Sequence, residues 1–342
     1  VIDAQHIKKL APEFGIDNIR IAAAKPFTTA ATRIKQQVNS GLYLHSEYWY
    51  RRNIDLFCDV QSVLPGARSI IAACQCYLTN EEIKKGRPGD PYGTIARYTW
   101  RNYYSDLQKR LKRLAQLLKQ EHGARCRVYS NGPIAEKPIA ESCGLGYYGK
   151  NSIIINENFG SWVVLGEIIT DAEIEPDKPI AKNCGTCNEC IEACPTGAIV
   201  APYVIDRRRC IQALTNWYGI LSDEIASAWG ARLYGCSVCQ EVCPANDNVQ
   251  RLPPRSSIGL VDSSISLSEI LEMGEEEYRR TYAHNQITAS WINFKAIQRN
   301  AIVALGNIRD RQTLPLLEKI SRTDDEVLAQ SARWALANFN CN

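Results

Sequence analysis

Eight cysteines fall in two runs whose spacing restricts what the middle of this chain can be. The first run is Cys184-x-x-Cys187-x-x-Cys190-x-x-x-Cys194-Pro195. In the second, Cys210 stands alone and is followed by Cys236-x-x-Cys239-x-x-x-Cys243-Pro244. Thiolates two residues apart around a tight turn converge on one face of a cuboidal iron–sulfur cluster, and the cysteine ahead of Pro reaches the neighbouring cluster. The crossing gives one 4Fe–4S cluster to Cys184, Cys187, Cys190 and Cys243, and the other to Cys210, Cys236, Cys239 and Cys194. Cys-x-x-Cys pairs also build structural zinc sites. A third cysteine after two more residues and a Cys-Pro after three more, repeated in the second half, is not zinc spacing. A disulfide framework fits worse still, because bridges replace a core only in much smaller chains. Two clusters at this spacing have one common use, moving electrons singly at low potential.

The rest of the chain is large enough to do something with those electrons. Its 342 residues, 45% hydrophobic and 23% charged, have room for two or three domains. No apolar stretch reaches the roughly 18 residues a membrane span needs. Charged and proline residues interrupt the first thirty positions, from Asp3 and His6 to Arg20 and Lys25, which excludes a signal peptide's apolar core. A chain that starts at Val1 is expected to be processed or trimmed. Fourteen cysteines with no export signal indicate a reducing cytoplasm, where thiolates stay free for iron. Cys58, Cys74, Cys76, Cys126, Cys143 and Cys341, outside the two runs, read as small buried hydrophobes. Lys and Arg outnumber Asp and Glu by 23 to 18 over residues 1–175, against 6 to 8 over 176–250 and 11 to 11 over 251–342. That excess is too small to establish a nucleic-acid partner.

Three parts follow from the pattern. Residues 1–175 read as mixed α/β, with apolar strands at Ser69–Cys74, Ser152–Ile155 and Ser161–Thr170, the first entered from a Pro65-Gly66 turn. The clearest helix starts at a capping box, Ser105 with Gln108, carries Leu107, Leu111, Leu114 and Leu118 on one face, and stops at His122-Gly123. Its outer face, Lys109, Arg110, Lys112, Arg113 and Lys119, is a solvated face or an anion contact. Residues 176–250 form the cluster domain, preceded by the acidic link Glu173–Asp177. Beyond Pro253-Pro254, residues 264–282 read as one polar helix. From Phe294 short paired helices follow, with a turn at Gly306-Asn307; they read as a HEAT-type unit or as a plain helical cap.

Gly144-Leu145-Gly146-Tyr147-Tyr148-Gly149-Lys150-Asn151 precedes a strand. Closely spaced glycines let a backbone approach a ligand, and Lys150 offers an anion contact. As a dinucleotide fingerprint the segment is poor, because it does not join a strand to a helix; an ordinary turn is the plainer reading.

Taken together these segments resemble the epoxyqueuosine reductase family, the cobalamin and iron–sulfur enzymes that finish queuosine in tRNA. The resemblance is carried by Leu64-Pro65-Gly66-Ala67-Arg68-Ser69-Ile70-Ile71, Ala96-Arg97-Tyr98, Gly144 to Asn151, both cysteine runs with Pro195-Thr196-Gly197-Ala198-Ile199 and Tyr234-Gly235-Cys236, and, in the tail, Arg299-Asn300-Ala301 with Ala304-Leu305-Gly306-Asn307. It implies a corrinoid-binding α/β domain related to that of reductive dehalogenases, fused to a two-cluster ferredoxin-like domain and a HEAT-like helical tail. It also implies that Arg97 and the segment with Gly144, Gly146, Tyr147, Gly149, Lys150 and Asn151 lie against the corrinoid. Its further implications are a tRNA anticodon stem-loop as substrate, a low-potential donor such as ferredoxin or flavodoxin, and a cytoplasmic monomer.

The chain departs from the family at three polar positions. An Asp two residues before a Gly-Pro pair is the family's general acid; here Ser130-Asn131-Gly132-Pro133 puts Ser130 there, and a serine is a poor acid at neutral pH. The family's following Arg is Lys137, which keeps the charge and loses the fork. Its Asp-Tyr-His reads Tyr103-Tyr104-Ser105. Two enzyme readings follow. An epoxyqueuosine reductase would take its proton from a neighbour such as Tyr129, Glu136 or Tyr103. A related corrinoid reductase with another substrate would use Tyr98 or Tyr103 beside Lys137 or Arg97. A third reading is an electron-transfer activase for a partner's corrinoid. RNA binding would weaken steeply with salt, with Trp100, Tyr103 and Tyr104 as candidate stacking residues.

Overall fold

A computed structural model describes residues 2–44 and 52–339; Cys341 lies outside the described residues. The N-terminal part is built on a four-stranded sheet of β1 (Asn18–Ala23), β2 (Ser69–Cys76), β7 (Val163–Thr170) and β4 (Cys126–Tyr129) in the order β1-β2-β7-β4, every neighbour antiparallel. All of β2 is buried, so both faces of the sheet are covered and its sequence is continuously apolar rather than alternating. One face takes the Tyr103–His122 helix, with Leu107, Leu111, Leu114 and Leu118 against Ile71, Val164 and Ile168. That helix comes close because residue 166 is glycine: a Cβ there would lie 2.9 Å from Leu111 Cδ1 and 3.0 Å from the Tyr129 carbonyl oxygen. The other face, carrying Ile70, Ala72, Leu165 and Ile169, packs on Ile139 and Ala140 of the Glu136–Ser142 helix.

The expected helix stop at Gly123 is present, in the left-handed region with φ 64°. Its start is not at Ser105. Asn102 is the cap, its side chain accepting the Ser105 N–H at 3.0 Å, because an Asx cap closes the first turn better than a serine one turn later. The Glu173–Asp177 link is laid on the sheet rather than spanning free: Ile174 N donates to Ser69 Oγ at 2.9 Å and Ile21 N to Asp177 Oδ2 at 2.8 Å.

A second sheet ties the whole chain together. Its central strand β3 (Tyr92–Ile95) comes from the N-terminal part, β10 (Arg232–Tyr234) pairs with it in parallel from the cysteine region, and β11 (Ser264–Ser266) pairs antiparallel from the tail. Ile95, Leu233 and Ile265 of this sheet share one core with Ala301, Leu305, Leu317 and Ala332 of the C-terminal helices. Residues 264–282 are therefore not one helix: β11 is followed by helices Leu267–Glu272 and Glu275–Thr281, divided at Met273-Gly274. Three helices follow, Phe294–Ile308, Leu314–Ile320 and Glu326–Asn338. Gly306-Asn307 is not the turn, since both lie inside the first of these and Arg309 ends it at φ 59°. The glycine is needed for close approach instead, because a Cβ on it would sit 2.7 Å from Ala335 Cα.

No disulfide joins the described cysteines; Cys58, Cys74, Cys76 and Cys143 are buried and Cys126 is half-buried. No helix among the described residues is long and apolar enough to cross a membrane.

Candidate electron-transfer and catalytic site

Each cysteine run is shaped by short turns. Cys187 N donates to the Cys184 carbonyl at 3.0 Å, and the one-turn helix Glu189–Glu192 carries Cys190. After Cys194, Gly197 takes φ 60° and Ala198 N reaches the Cys194 sulfur at 3.2 Å. In the second run Cys210 begins the Ile211–Leu214 helix, and β10 delivers Cys236 through Gly235 at φ 78°. A side chain at Gly235 would lie 2.5 Å from Ala96 Cβ, so the cluster loop packs directly on the segment that follows β3.

The folded chain brings four of the eight thiols around one cavity. One cavity is lined by Cys184, Cys187, Cys190 and Cys243 together. Burial raises the Cys190 thiol, helped by Cys184, Cys243 and Cys187. Burial likewise raises Cys239, and its sulfur neighbours begin with Cys236 and Cys210, followed by Cys190 and Cys194. The two sets are thus adjacent.

The glycine-rich segment sits on this cavity, with Gly149, Lys150 and Asn151 in its wall. Lys150 Nζ donates to the Cys187 carbonyl at 2.7 Å and to Asn188 Oδ1 at 2.9 Å. Asn151 Nδ2 donates to the Cys239 carbonyl at 3.1 Å. Burial raises the Tyr147 phenol, with Cys184 and Cys243 as the next causes. The glycines do not open a cradle for a ligand. A Cβ at Gly144 would meet the Lys178 carbonyl oxygen at 2.5 Å, one at Gly146 Ile154 Cγ2 at 2.5 Å, and one at Gly149 Asn151 Oδ1 at 2.7 Å. Protein atoms stand where Cβ atoms on these three glycines would be. A buried polar knot completes the docking: Gln240 Nε2 donates to Tyr77 Oη at 2.8 Å, and Ser161 N donates to Asn246 Oδ1 at 2.7 Å.

Beside the second cysteine set lies a concave recess. Lys137 keeps an exposed side chain, yet burial lowers its amine, with Arg207 as the next cause and Cys239 and Cys210 among its neighbours; Nζ donates to the Ser152 carbonyl at 2.8 Å. Ser130 Oγ donates to the Leu165 carbonyl of β7 at 2.6 Å. Asn131, at φ 56°, and Gly132 turn their N–H groups onto Glu136 Oε1, the latter at 3.4 Å. Burial pushes the Glu136 carboxyl up to about 7 against those donors and Lys137. Burial and the Glu136 charge push Glu167, 1% exposed on β7, far above the usual carboxylate range.

Tyr98 Oη accepts from Gln212 Nε2 at 2.7 Å, and Gln212 Oε1 accepts from Cys236 N at 3.3 Å. Arg97 stacks over Trp100 at 4.5 Å. Arg97 Nη1, Tyr103 Oη and Asn216 Oδ1 are buried without a hydrogen bond of good geometry among the described residues, with Arg101 beside Tyr103 and Tyr234 beside Asn216. Trp100 and Tyr103 are 2% and 3% exposed, so neither is a stacking platform for RNA; Trp100 is held by Nε1 donating to the Ile95 carbonyl at 2.8 Å. Sequence reasoning missed Glu167 and Gln212. A lone carboxylate in the apolar run Val163–Thr170 was the available signal for the first; nothing local marked the second.

Comparison with known proteins agrees with this arrangement. Residues 183–246 match a family described as a 4Fe-4S double cluster binding domain, and residues 58–131 match one described as epoxyqueuosine reductase QueG, DUF1730. The epoxyqueuosine reductase of Staphylococcus aureus (strain NCTC 8325 / PS 47) is 32% identical over 345 residues, covering 98% of this chain and 88% of that protein. A crystal structure of epoxyqueuosine reductase with an epoxyqueuosine-modified tRNA-Tyr stem loop superposes with a TM-score of 0.89 at 32% identity, over 98% of this chain and 89% of that one. A Bacillus subtilis epoxyqueuosine reductase structure, with its catalytic aspartate loop swung out of the active site, superposes with a TM-score of 0.88 at 32% identity, over 98% and 90% of the two chains. This chain belongs to the epoxyqueuosine reductase family.

Proposed function

We propose that this chain reduces epoxyqueuosine to queuosine in tRNA, using two 4Fe–4S clusters and a corrinoid. The observation that supports the reading is the cavity lined by Cys184, Cys187, Cys190 and Cys243, with Cys239 and Cys210 near Lys137. Cys184, Cys187, Cys190 and Cys243 ligate one cluster, and Cys210, Cys236, Cys239 and Cys194 the other. The corrinoid is held by Arg97, Tyr103 and Asn216, whose buried polar atoms lack a hydrogen bond of good geometry. When bound it supplies a cobalt centre that can be reduced one electron at a time. Tyr98, set against the second cluster through Gln212, lines the path between cluster and substrate. Lys137 orients the anionic end of the recess as a point charge. The C-terminal helices are a HEAT-like unit that buttresses the second sheet. The chain works as a cytoplasmic monomer fed by ferredoxin or flavodoxin.

The test is anaerobic turnover of an epoxyqueuosine-containing anticodon stem-loop by the chain reconstituted with iron, sulfide and cobalamin and given a strong reductant. Conversion to queuosine that Cys190→Ala abolishes supports the reading. No conversion, with both clusters reducible and cobalamin bound, moves it to a corrinoid reductase of another substrate or to an activase. The tie between Ser130 and Leu165 is the observation that would favour that outcome.

A further inference from the structure

We propose that the proton Ser130 is not placed to give comes from a pair of carboxyl groups, with Glu136 as the acid facing the recess and Glu167 behind it as the positioning partner that keeps a proton on the pair. This rests on the reading of the chain as an epoxyqueuosine reductase.

Three independent placements carry it. The Ser130 hydroxyl proton is committed to the Leu165 carbonyl, so position 130 neither ionises readily nor points a free proton outward. Glu136 takes over the loop: its Oε1 is gripped by the N–H groups of Asn131 and Gly132, the two residues that follow Ser130. Glu167 stands on β7 two residues from Leu165, on the face that packs against the Glu136–Ser142 helix, and its Oε1 meets no donor among the described residues. A carboxylate in that position would leave a charge buried without a partner, so it is kept neutral.

The groups around the pair agree. Lys137, next in the chain, is turned to the Ser152 carbonyl, with Arg207 beyond it. Tyr104, on the Tyr103–His122 helix, feels the Glu136 charge, and burial keeps its phenol neutral. Like carboxyls that share a site titrate together, in two steps that belong to the pair.

The chemistry balances. Two electrons arrive singly from a low-potential ferredoxin or flavodoxin through the clusters. Both C–O bonds of the epoxide break, a C=C bond forms, and the oxygen leaves as water with two protons. Glu136 gives one proton to the departing oxygen, solvent gives the other, and solvent then reloads the pair through the recess.

The experiment compares reconstituted wild type, Glu136→Gln, Glu167→Gln and the double variant Ser130→Asp/Glu136→Gln on the epoxyqueuosine stem-loop across pH, with iron content and infrared carboxyl bands recorded for each. Expected are a loss in kcat of at least about 100-fold in Glu136→Gln at unchanged KM, disappearance of the falling limb near pH 7, and recovery of about tenfold or more in the double variant. In the infrared, one protonated-carboxyl band titrates near pH 7 and is missing in Glu136→Gln; a second persists to alkaline pH and is missing in Glu167→Gln. Wild-type kcat and an unchanged limb in Glu136→Gln overturn the proposal. If that variant loses its iron or does not fold, the wild-type spectrum decides, and absence of a band titrating near pH 7 overturns it. If wild type does not convert the stem-loop, the reaction assigned above fails, and the two infrared bands still decide whether the pair holds its protons.

Discussion

Lys150 donates from Nζ to the Cys187 carbonyl oxygen at 2.7 Å, and its neighbour Asn151 donates to the Cys239 carbonyl at 3.1 Å. Two consecutive side chains of the catalytic domain thus hold one loop from each cysteine run. A cation beside a cluster stabilises the added electron, more so where water is partly excluded. Lys150→Met is expected to lower the reduction potential of the cluster on Cys184, Cys187, Cys190 and Cys243 by roughly 30–60 mV, where 59 mV is tenfold for one electron. A redox titration followed by electron paramagnetic resonance measures it; an unmoved potential would limit Lys150 to holding the loop.

Gln212 satisfies Tyr98 and Cys236 at once. Gln212→Leu leaves a buried phenol oxygen and a cluster-loop N–H without partners, at about 1–3 kcal/mol for each group left unmet. The expected result is slower turnover together with a changed spectrum of the second cluster, while the first cluster's signal stays as it was. Equal changes in both clusters would contradict the assignment of Cys236 to the second.

Arg299, 0% exposed, donates to the Leu214, Trp217 and Gly219 carbonyls at 2.7, 2.9 and 2.9 Å. It thereby holds the segment that follows Cys210. Burial lowers its guanidinium to about 9. Arg299→Leu is expected to cost about 3–5 kcal/mol, because one buried and two half-buried carbonyls lose their donor. Iron content falling by about half, ahead of global unfolding in a urea titration, is the outcome to look for.

Glu136 makes stability depend on pH in a definite direction. Its folded carboxyl, at about 7, lies above its ordinary 4.5. The folded chain therefore binds more protons between those values, and stability falls as pH rises from about 4.5 through 7. The effect amounts to at most about 3 kcal/mol. Denaturation of wild type and Glu136→Gln at pH 5 and pH 8 should show a larger drop in wild type, over the drop that the raised Glu167 carboxyl gives to both. A drop of the same size in both would assign it to another group.

The cluster domain was legible because its information is local: the cysteine spacing along a few turns marks a double-cluster domain, which residues 183–246 match. The strand at β2 and the glycine stop at Gly123 were legible for the same reason. What escaped was set by partners distant in sequence. Glu167 acquires its meaning only from Glu136 packed over the sheet, and Gln212 only from Tyr98. Gly306 read as a turn because glycine after an apolar run commonly ends a helix; Ala335, which demands the missing side chain, comes from the last helix. Trp100 and Tyr103 read equally as stacking or core aromatics because nothing local showed that Trp100 would join the core of β3 and the tail and Tyr103 that of the first sheet.

The central strand β3 has a consequence for how such a chain is made. Both of its neighbours, β10 and β11, are synthesised long after it, so a nascent chain carries β3 with two bare edges until the tail emerges. Contacts this distant in sequence close slowly, because the intervening loop must be ordered first. Iron must therefore be loaded either onto an unfinished scaffold or after release from the ribosome. A ferredoxin-like fragment cut out at the cysteine runs would take β10 away from the one strand it pairs with among the described residues.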